Sequence, residues 1–193
     1  MKNNCTETLK INFILDEHIG KNDIFKENEA ELMEYYHFKG KSGSLSFKFK
    51  MFKFWMYHKL AYSSPRSNFV VKMQRARGVK IGNNCHISPY VLIDLVYPGL
   101  VEIGNNVTIG SNVMIFAHVN PTANLLLKKT HYPRKVAKVI INDGAVINPG
   151  AILTAGVTIG KNAIVSIGCG VFEDVPDSCI VVGNPARVVK KIE

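Results

Sequence analysis

Acidic residues are scarce, and their scarcity is local. The chain has 15 Asp and Glu against 24 Lys and Arg in 193 residues, a formal net charge of +9. No acid occurs between Tyr35 and Lys80, a stretch holding Lys39, Lys41, Lys48, Lys50, Lys53, Lys59, Arg66, Lys72, Arg75 and Arg77. Cysteine is also sparse. The four present show no metal-ligand spacing. Cys85 and Cys169 fall on apolar positions, where a free thiol behaves as a small hydrophobe. Cys5 and Cys179 show no pairing pattern, so a reducing, cytoplasmic compartment is expected. No uncharged apolar run approaches the roughly 20 residues of a membrane helix. The opening MKNNCTETLKINF lacks the apolar core of a signal peptide. No nucleic-acid-binding motif accompanies the basic charge, so no nucleic-acid partner is expected.

What the chain has is a beat of six. An aliphatic residue recurs at Ile81, Ile87, Ile93, then at Ile103, Ile109, Ile115, then at Ile141, Ile147, Leu153, Ile159, Val165, Val171. Two positions before each anchor stands a second small or apolar residue, from Val79 and Cys85 through Ala163 and Cys169. Six is neither the helical period nor the bare strand period. Each hexad supplies a short strand with two inward side chains and then a corner, where Asn and Gly tolerate positive φ. Three hexads close one triangular coil, and coils stack about 4.8 Å apart. The anchors therefore predict an all-β solenoid, a parallel β-helix of roughly four coils, in which only stacking buries the apolar residues.

The beat breaks twice. Ile93 to Ile103 spans ten residues and includes the turn signal Tyr97-Pro98-Gly99. Ile115 to Ile141 spans twenty-six, which predicts an extruded loop over 119–138. That loop carries Lys128, Lys129, His131, Arg134, Lys135 and Lys138, without an acid. His118 stands immediately before it. Asp94 stands at the corner where the first break begins. Glu102 alternates with Val101 and Ile103 and is expected to point into solvent.

From Val79 to Glu193 the chain resembles the left-handed parallel β-helix acyltransferases of the hexapeptide-repeat superfamily. The strings that carry the resemblance are IGNNVTIGSNVMIFAH, VIINDGAVINPGAILTAGVTIGKNAIV and DVPDSCIVVGNPARVVKKI. Within that superfamily it is similar to the branch of galactoside, maltose and polysaccharide sugar O-acetyltransferases. The resemblance implies the left hand, against the usual right-handed crossover. It also implies an acetyl-CoA-dependent O-acetyltransferase, a homotrimer with sites between subunits, and no metal. His118 matches the catalytic histidine, and a histidine suits a general base because its pKa lies near working pH. Asp94 is expected either to orient His118 or to bind an acceptor hydroxyl. By position, Asp143, Ile167 and Gly168 match pantetheine contacts, and Arg187 and Lys190 match residues that reach the nucleotide phosphates. The chain departs from the pattern at Phe172-Glu173, where Thr-Lys is common, and at Ile140, where a tryptophan is common.

The expected acceptor is a hydroxyl of a sugar or saccharide. The alternatives are an amino-sugar amine, a xenobiotic hydroxyl, or a sugar-binding scaffold that has lost catalysis. Residues 79–182 are read as the β-helix domain, 183–193 as a tail and 1–78 as a partly helical accessory segment. Within that segment a short helix is expected around Glu27–Phe38 and a linker at Gly40–Gly43. Phe52, Trp55, Met56 and Lys59 or Leu60 fit one helix face. That face either caps the end of the prism or lies, within 44–62, on an anionic membrane at the inner face of the cell membrane.

Overall fold

The computed structural model describes residues 21–120 and 123–192. The first twenty residues of the expected accessory segment, Cys5 among them, lie outside that range. The described residues divide into two compact units, 21–49 with 120–134 and 50–119 with 135–192.

The first unit explains the loop's one-sided charge. Helix α1 (Lys21–Tyr35) begins earlier than the expected Glu27. Lys128 is buried, with its Nζ 2.7 Å from Glu31 and 3.0 Å from the Asn28 side-chain oxygen. Arg134 also pairs with Glu31. Lys128, Lys129 and Arg134 of the loop thus meet the acids of α1. The linker expected at Gly40–Gly43 is instead the start of α2 (Gly40–Tyr62). Gly43 allows this, since a Cβ there would stand 3.2 Å from the Phe38 backbone carbonyl carbon.

The second unit holds the rest of α2, helix α3 (Ser67–Ala76) and the repeat. Strands β1 (Lys80–Ile81), β2 (His86–Ile87) and β3 (Leu92–Ile93) open it. Then come β4 (Val101–Ile103), β5 (Thr108–Ile109) and β6 (Met114–Ile115). An antiparallel pair, β7 (His118–Val119) and β8 (Lys135–Val136), brackets the excursion. Next are β9 (Val139–Ile141), β10 (Val146–Ile147) and β11 (Ile152–Leu153), then β12 (Thr158–Ile159), β13 (Ile164–Val165) and β14 (Gly170–Val171). Strands β15 (Cys179–Val182) and β16 (Arg187–Lys191) close the chain. The expected tail is therefore largely a strand, paired antiparallel to β15.

Three parallel faces result. The first stacks β1, β4, β9 and β12; the second runs from β2 through β5, β10, β13 and β15 to β16; the third stacks β3, β6, β11 and β14. In-register pairing puts anchor on anchor, Ile93 beside Ile115 beside Leu153 beside Val171 on the third face. All four are fully buried, as are Ile109 and Ile147 on the second face. Fully burying such a side chain is worth about 1.5–3 kcal/mol. Corner residues stack likewise: Asn84, Asn106, Gly144 and Asn162 all have φ between +54° and +72° at one edge of the prism. The loop expected at 119–138 is held at its root, because β7 and β8 pair directly.

N–H groups of each turn donate to carbonyls of the next, as from Gly82 to Ile103 and from Gly104 to Ile141. The carbonyls of the first turn thus face the open end and need donors from outside the repeat. Helix α3 supplies them. Arg75 reaches Ile81 O at 3.1 Å and Gly82 O at 2.5 Å, and Arg77 reaches Ile93 O and Asp94 O. The Ser67 hydroxyl accepts from Ile87 N. This helix covers the end of the solenoid. The aromatic face of α2, expected to do so on one reading, is exposed.

Candidate active site

Both breaks in the beat fall on one edge of the prism, between its third and first faces, on neighbouring turns. Asp94 follows β3, and the residues after it fold back around its side chain. Its Oδ1 accepts from Val96 N at 2.9 Å and Tyr97 N at 2.8 Å, an Asp-initiated turn that continues into the short helical turn Pro98–Leu100. Its Oδ2 faces the next turn and accepts from Ala117 N at 2.8 Å. The same oxygen lies 2.6 Å from His118 Nδ1, where the excursion leaves the prism.

The Asp94 carboxylate is fully buried. Burial pulls its pKa upward, but the bonds from His118, Tyr97 and Val96 outweigh it and hold the group below the ordinary carboxylate value. An ionised Asp94 can only accept, so His118 donates from Nδ1, and the lone pair of the neutral ring lies on Nε2. The His118 side chain is 23% exposed. Tyr97 packs edge-on against its ring, with centroids 5.3 Å apart. The arrangement is an imidazole whose tautomer and orientation are set by a buried carboxylate.

Behind it sits a layer that sequence reading missed. Arg77, at the end of α3, is 1% exposed. Its Nη2 donates to Asp94 O at 2.6 Å, and its Nη1 donates to Gln74 Oε1 at 2.7 Å and approaches His58 Nδ1 at 3.1 Å. Burial, reinforced by the Arg77 charge, pushes His58 down to about 4. His58 is therefore neutral at pH 7 and free to present an Nδ1 lone pair to the guanidinium. The available signal was the spacing of Val70, Gln74 and Arg77, which puts polar side chains in the apolar stripe of a helix.

The residues matched to the acyl donor lie elsewhere. Asp143 is at the edge between the first and second faces, and its Oδ1 accepts from Asn105 N at 2.6 Å. Gly104 leaves room for it, since a Cβ there would stand 2.8 Å from Asp143 N. Ile167 and Gly168 form a corner on the third edge, between the second and third faces. Ile167 is 75% exposed, and nothing lies within 4 Å of where a Gly168 Cβ would stand. Arg187 and Lys190 are exposed on β16, with Arg187 3.8 Å from Glu173. One chain thus places the His118–Asp94 pair, Asp143 and the Ile167–Gly168 corner on three different edges. Glu102 points outward as expected, but it bridges Lys80 and Lys138 at 2.8 Å each. Among the described residues, no group of three or more His, Cys, Asp or Glu is placed to hold a metal ion.

A parallel β-helix of hexads, broken at a histidine beside a buried carboxylate, defines a class of protein, and comparison with known proteins agrees. The chain is 35% identical over 125 residues to the protein CapG of Staphylococcus aureus, covering 62% of this chain and 69% of that one. It is 32% identical over 115 residues to a galactoside O-acetyltransferase of Lactococcus lactis, covering 58% of this chain and 55% of that enzyme. A solved hexapeptide-repeat acetyltransferase of Vibrio cholerae, complexed with acetyl-CoA, superposes with a TM-score of 0.64 at 18% identity, over 80% of this chain and 93% of that one. That likeness shows the fold. No protein-family model matches the chain. The chain spans less than two thirds of the length of several of its relatives, the galactoside enzyme among them. It belongs with CapG in one family and shares the fold of the hexapeptide-repeat acetyltransferases.

Proposed function

We propose that the protein transfers an acetyl group from acetyl-CoA to a hydroxyl of a sugar or saccharide, with His118 as general base. The observation that carries this reading is the 2.6 Å contact between His118 Nδ1 and Asp94 Oδ2. His118 Nε2 takes the acceptor's hydroxyl proton while the oxygen bonds to the thioester carbonyl carbon. The carbon–sulfur bond then breaks, and His118 returns the proton to the leaving thiolate. Asp94, ionised throughout, stabilises the imidazolium that exists between the two transfers. The likeness to a galactoside O-acetyltransferase supports a sugar hydroxyl as acceptor.

The donor's proposed contacts suit its chemistry. An exposed isoleucine beside a bare glycine leaves room for the narrow pantetheine arm, and the cations of β16 fit its phosphates. These groups stand on different edges from His118, so one chain alone does not gather them. A homotrimer packed edge to edge would do so, with Asp143 of one subunit and the His118 edge of another facing a shared groove.

Calorimetric titration with acetyl-CoA tests the donor, with desulfo-CoA as comparison. Saturable binding near one site per chain is expected. Thiol release with a panel of saccharide acceptors then tests transfer, and His118→Ala should abolish it. No donor binding at millimolar concentration would favour a sugar-binding scaffold. Release driven only by amino sugars would move the reading to N-acetylation.

A further inference from the structure

From Lys50 to Tyr62, helix α2 is apolar on both faces, yet only one face is covered. Phe54, His58 and Ala61 are buried. On the opposite side Phe52, Trp55, Met56 and Leu60 are 55%, 51%, 36% and 48% exposed. At 100° per residue these four share one half of the helix surface. An exposed patch of large apolar side chains marks a binding surface. Lys59 stands among them, its Nζ 5.1 Å from the Trp55 ring centroid, and Lys53 borders the patch. The partner must therefore accept apolar side chains and positive charge together. A two-fold contact with a second copy would bring Lys53 and Lys59 against the same residues of the other chain, an unfavourable like-charge pairing.

We propose that this face of α2 docks on an anionic lipid bilayer, with Phe52, Trp55, Met56 and Leu60 entering the interface and Lys53 and Lys59 meeting acidic headgroups. A surface that combines exposed apolar side chains with lysines binds such bilayers by adding buried apolar area to electrostatic attraction. The absence of acid from Tyr35 to Lys80 removes the repulsion that would oppose it. No described helix is long and apolar enough to cross a membrane, so the helix lies along the surface. Such docking would hold a transferase where lipid-linked saccharides are presented, although the surface does not depend on the catalytic assignment.

Trp55 is the chain's single tryptophan and reports from inside the patch. The full-length protein is titrated with vesicles of phosphatidylcholine alone and of phosphatidylcholine with phosphatidylglycerol. Trp55 emission should move to shorter wavelength, and the protein should co-float, with the anionic vesicles only. The double change Lys53→Gln and Lys59→Gln, at exposed positions that leave the fold intact, should weaken partitioning about thirtyfold. Phe52→Ser with Met56→Ser should weaken it at every salt concentration. His118→Ala should leave partitioning unchanged, so failure of the proposed chemistry and failure of docking are separable. Three results would overturn the proposal: no emission change with either vesicle, equal partitioning into both, or a lipid-independent blue shift that grows with protein concentration. The last would show that a second copy covers the face.

Discussion

Arg77 Nη2 donates to the backbone carbonyl of Asp94 at 2.6 Å, so a buried guanidinium holds the residue that holds His118. Three residues from three separate elements are thus in series. The cation caps the free carbonyls of the first turn, and in doing so fixes the corner from which the carboxylate projects. With His118 as the proposed base, Arg77→Met should lower kcat by about 10–100-fold, the range found when groups that orient metal ligands from behind are removed. The KM for donor should change little, because Arg77 lies away from the donor's proposed contacts. Stability should also fall by several kcal/mol, since Gln74, His58 and two carbonyls lose a donor. Steady-state kinetics and urea unfolding on the same preparation would separate the effects.

Asp94→Asn removes the charge but keeps the shape. An amide cannot accept all four hydrogen bonds that the two carboxylate oxygens take. Its NH2 would also face His118 Nδ1 and favour the wrong tautomer. The expected loss in kcat is about 10²–10⁴-fold, the range of a disabled general base. The variant should differ in acid as well. Because the native Asp94 pKa is depressed, its stabilisation is complete above the unfolded value of about 3.9 and is lost as pH falls through the lower native value. Acid unfolding of wild type relative to Asp94→Asn should show that added loss only at the acid end.

Much of this was legible in the chain, and the reason is local repetition. Ile109, Ile115 and Leu153 could be placed because one structural unit recurs every six residues and each copy needs the same two inward side chains. His118 and Asp94 could be singled out because both stand where that rule stops. The spacing of Gln74 and Arg77 hinted at a polar cluster, but not at its partners, because Arg77 meets His58 19 residues away and Ile93 16 residues away with no repeat to relate them. The start of α2 at Gly40 was hidden for a related reason. Its glycines read as a linker locally, but Gly43 is needed there for close approach to Phe38.

His58 makes a prediction in the milder acid range. Its native pKa of about 4 lies below the unfolded value near 6.5, so the unfolded chain takes up a proton that the folded chain refuses. Stability from this group is therefore full above about pH 6.5 and declines as pH falls toward 4. The decline by pH 5 should be about 2 kcal/mol. His58→Gln offers Arg77 an oxygen that does not titrate. Urea midpoints measured between pH 7 and pH 5 should fall for wild type and stay nearly level for the variant.

Core and corner should respond oppositely to the same truncation. Leu153 is fully buried between Ile115 and Val171, and Leu153→Ala should cost about 2–5 kcal/mol. Ile167 is largely exposed, so Ile167→Ala should leave stability within about 0.5 kcal/mol. If Ile167 touches the pantetheine arm, the change should instead raise the KM for acetyl-CoA and leave kcat nearly unchanged.

Glu173 stands where similar enzymes commonly carry a lysine, and it lies 3.8 Å from Arg187. Both side chains are exposed, so their attraction contributes little to stability. Its effect on an incoming phosphate is different. Glu173 both repels the anion and competes for the guanidinium proposed to receive it. Glu173→Gln should therefore lower the KM for acetyl-CoA a few-fold, and Glu173→Lys should lower it further. The gain should shrink as salt rises from 0.01 M toward 0.15 M, where the screening length falls from about 30 Å to about 8 Å. Donor titrations of the three proteins at two salt concentrations would decide whether Arg187 meets the phosphates. If Glu173→Lys left donor affinity unchanged at low salt, that end of the prism would not be the nucleotide site.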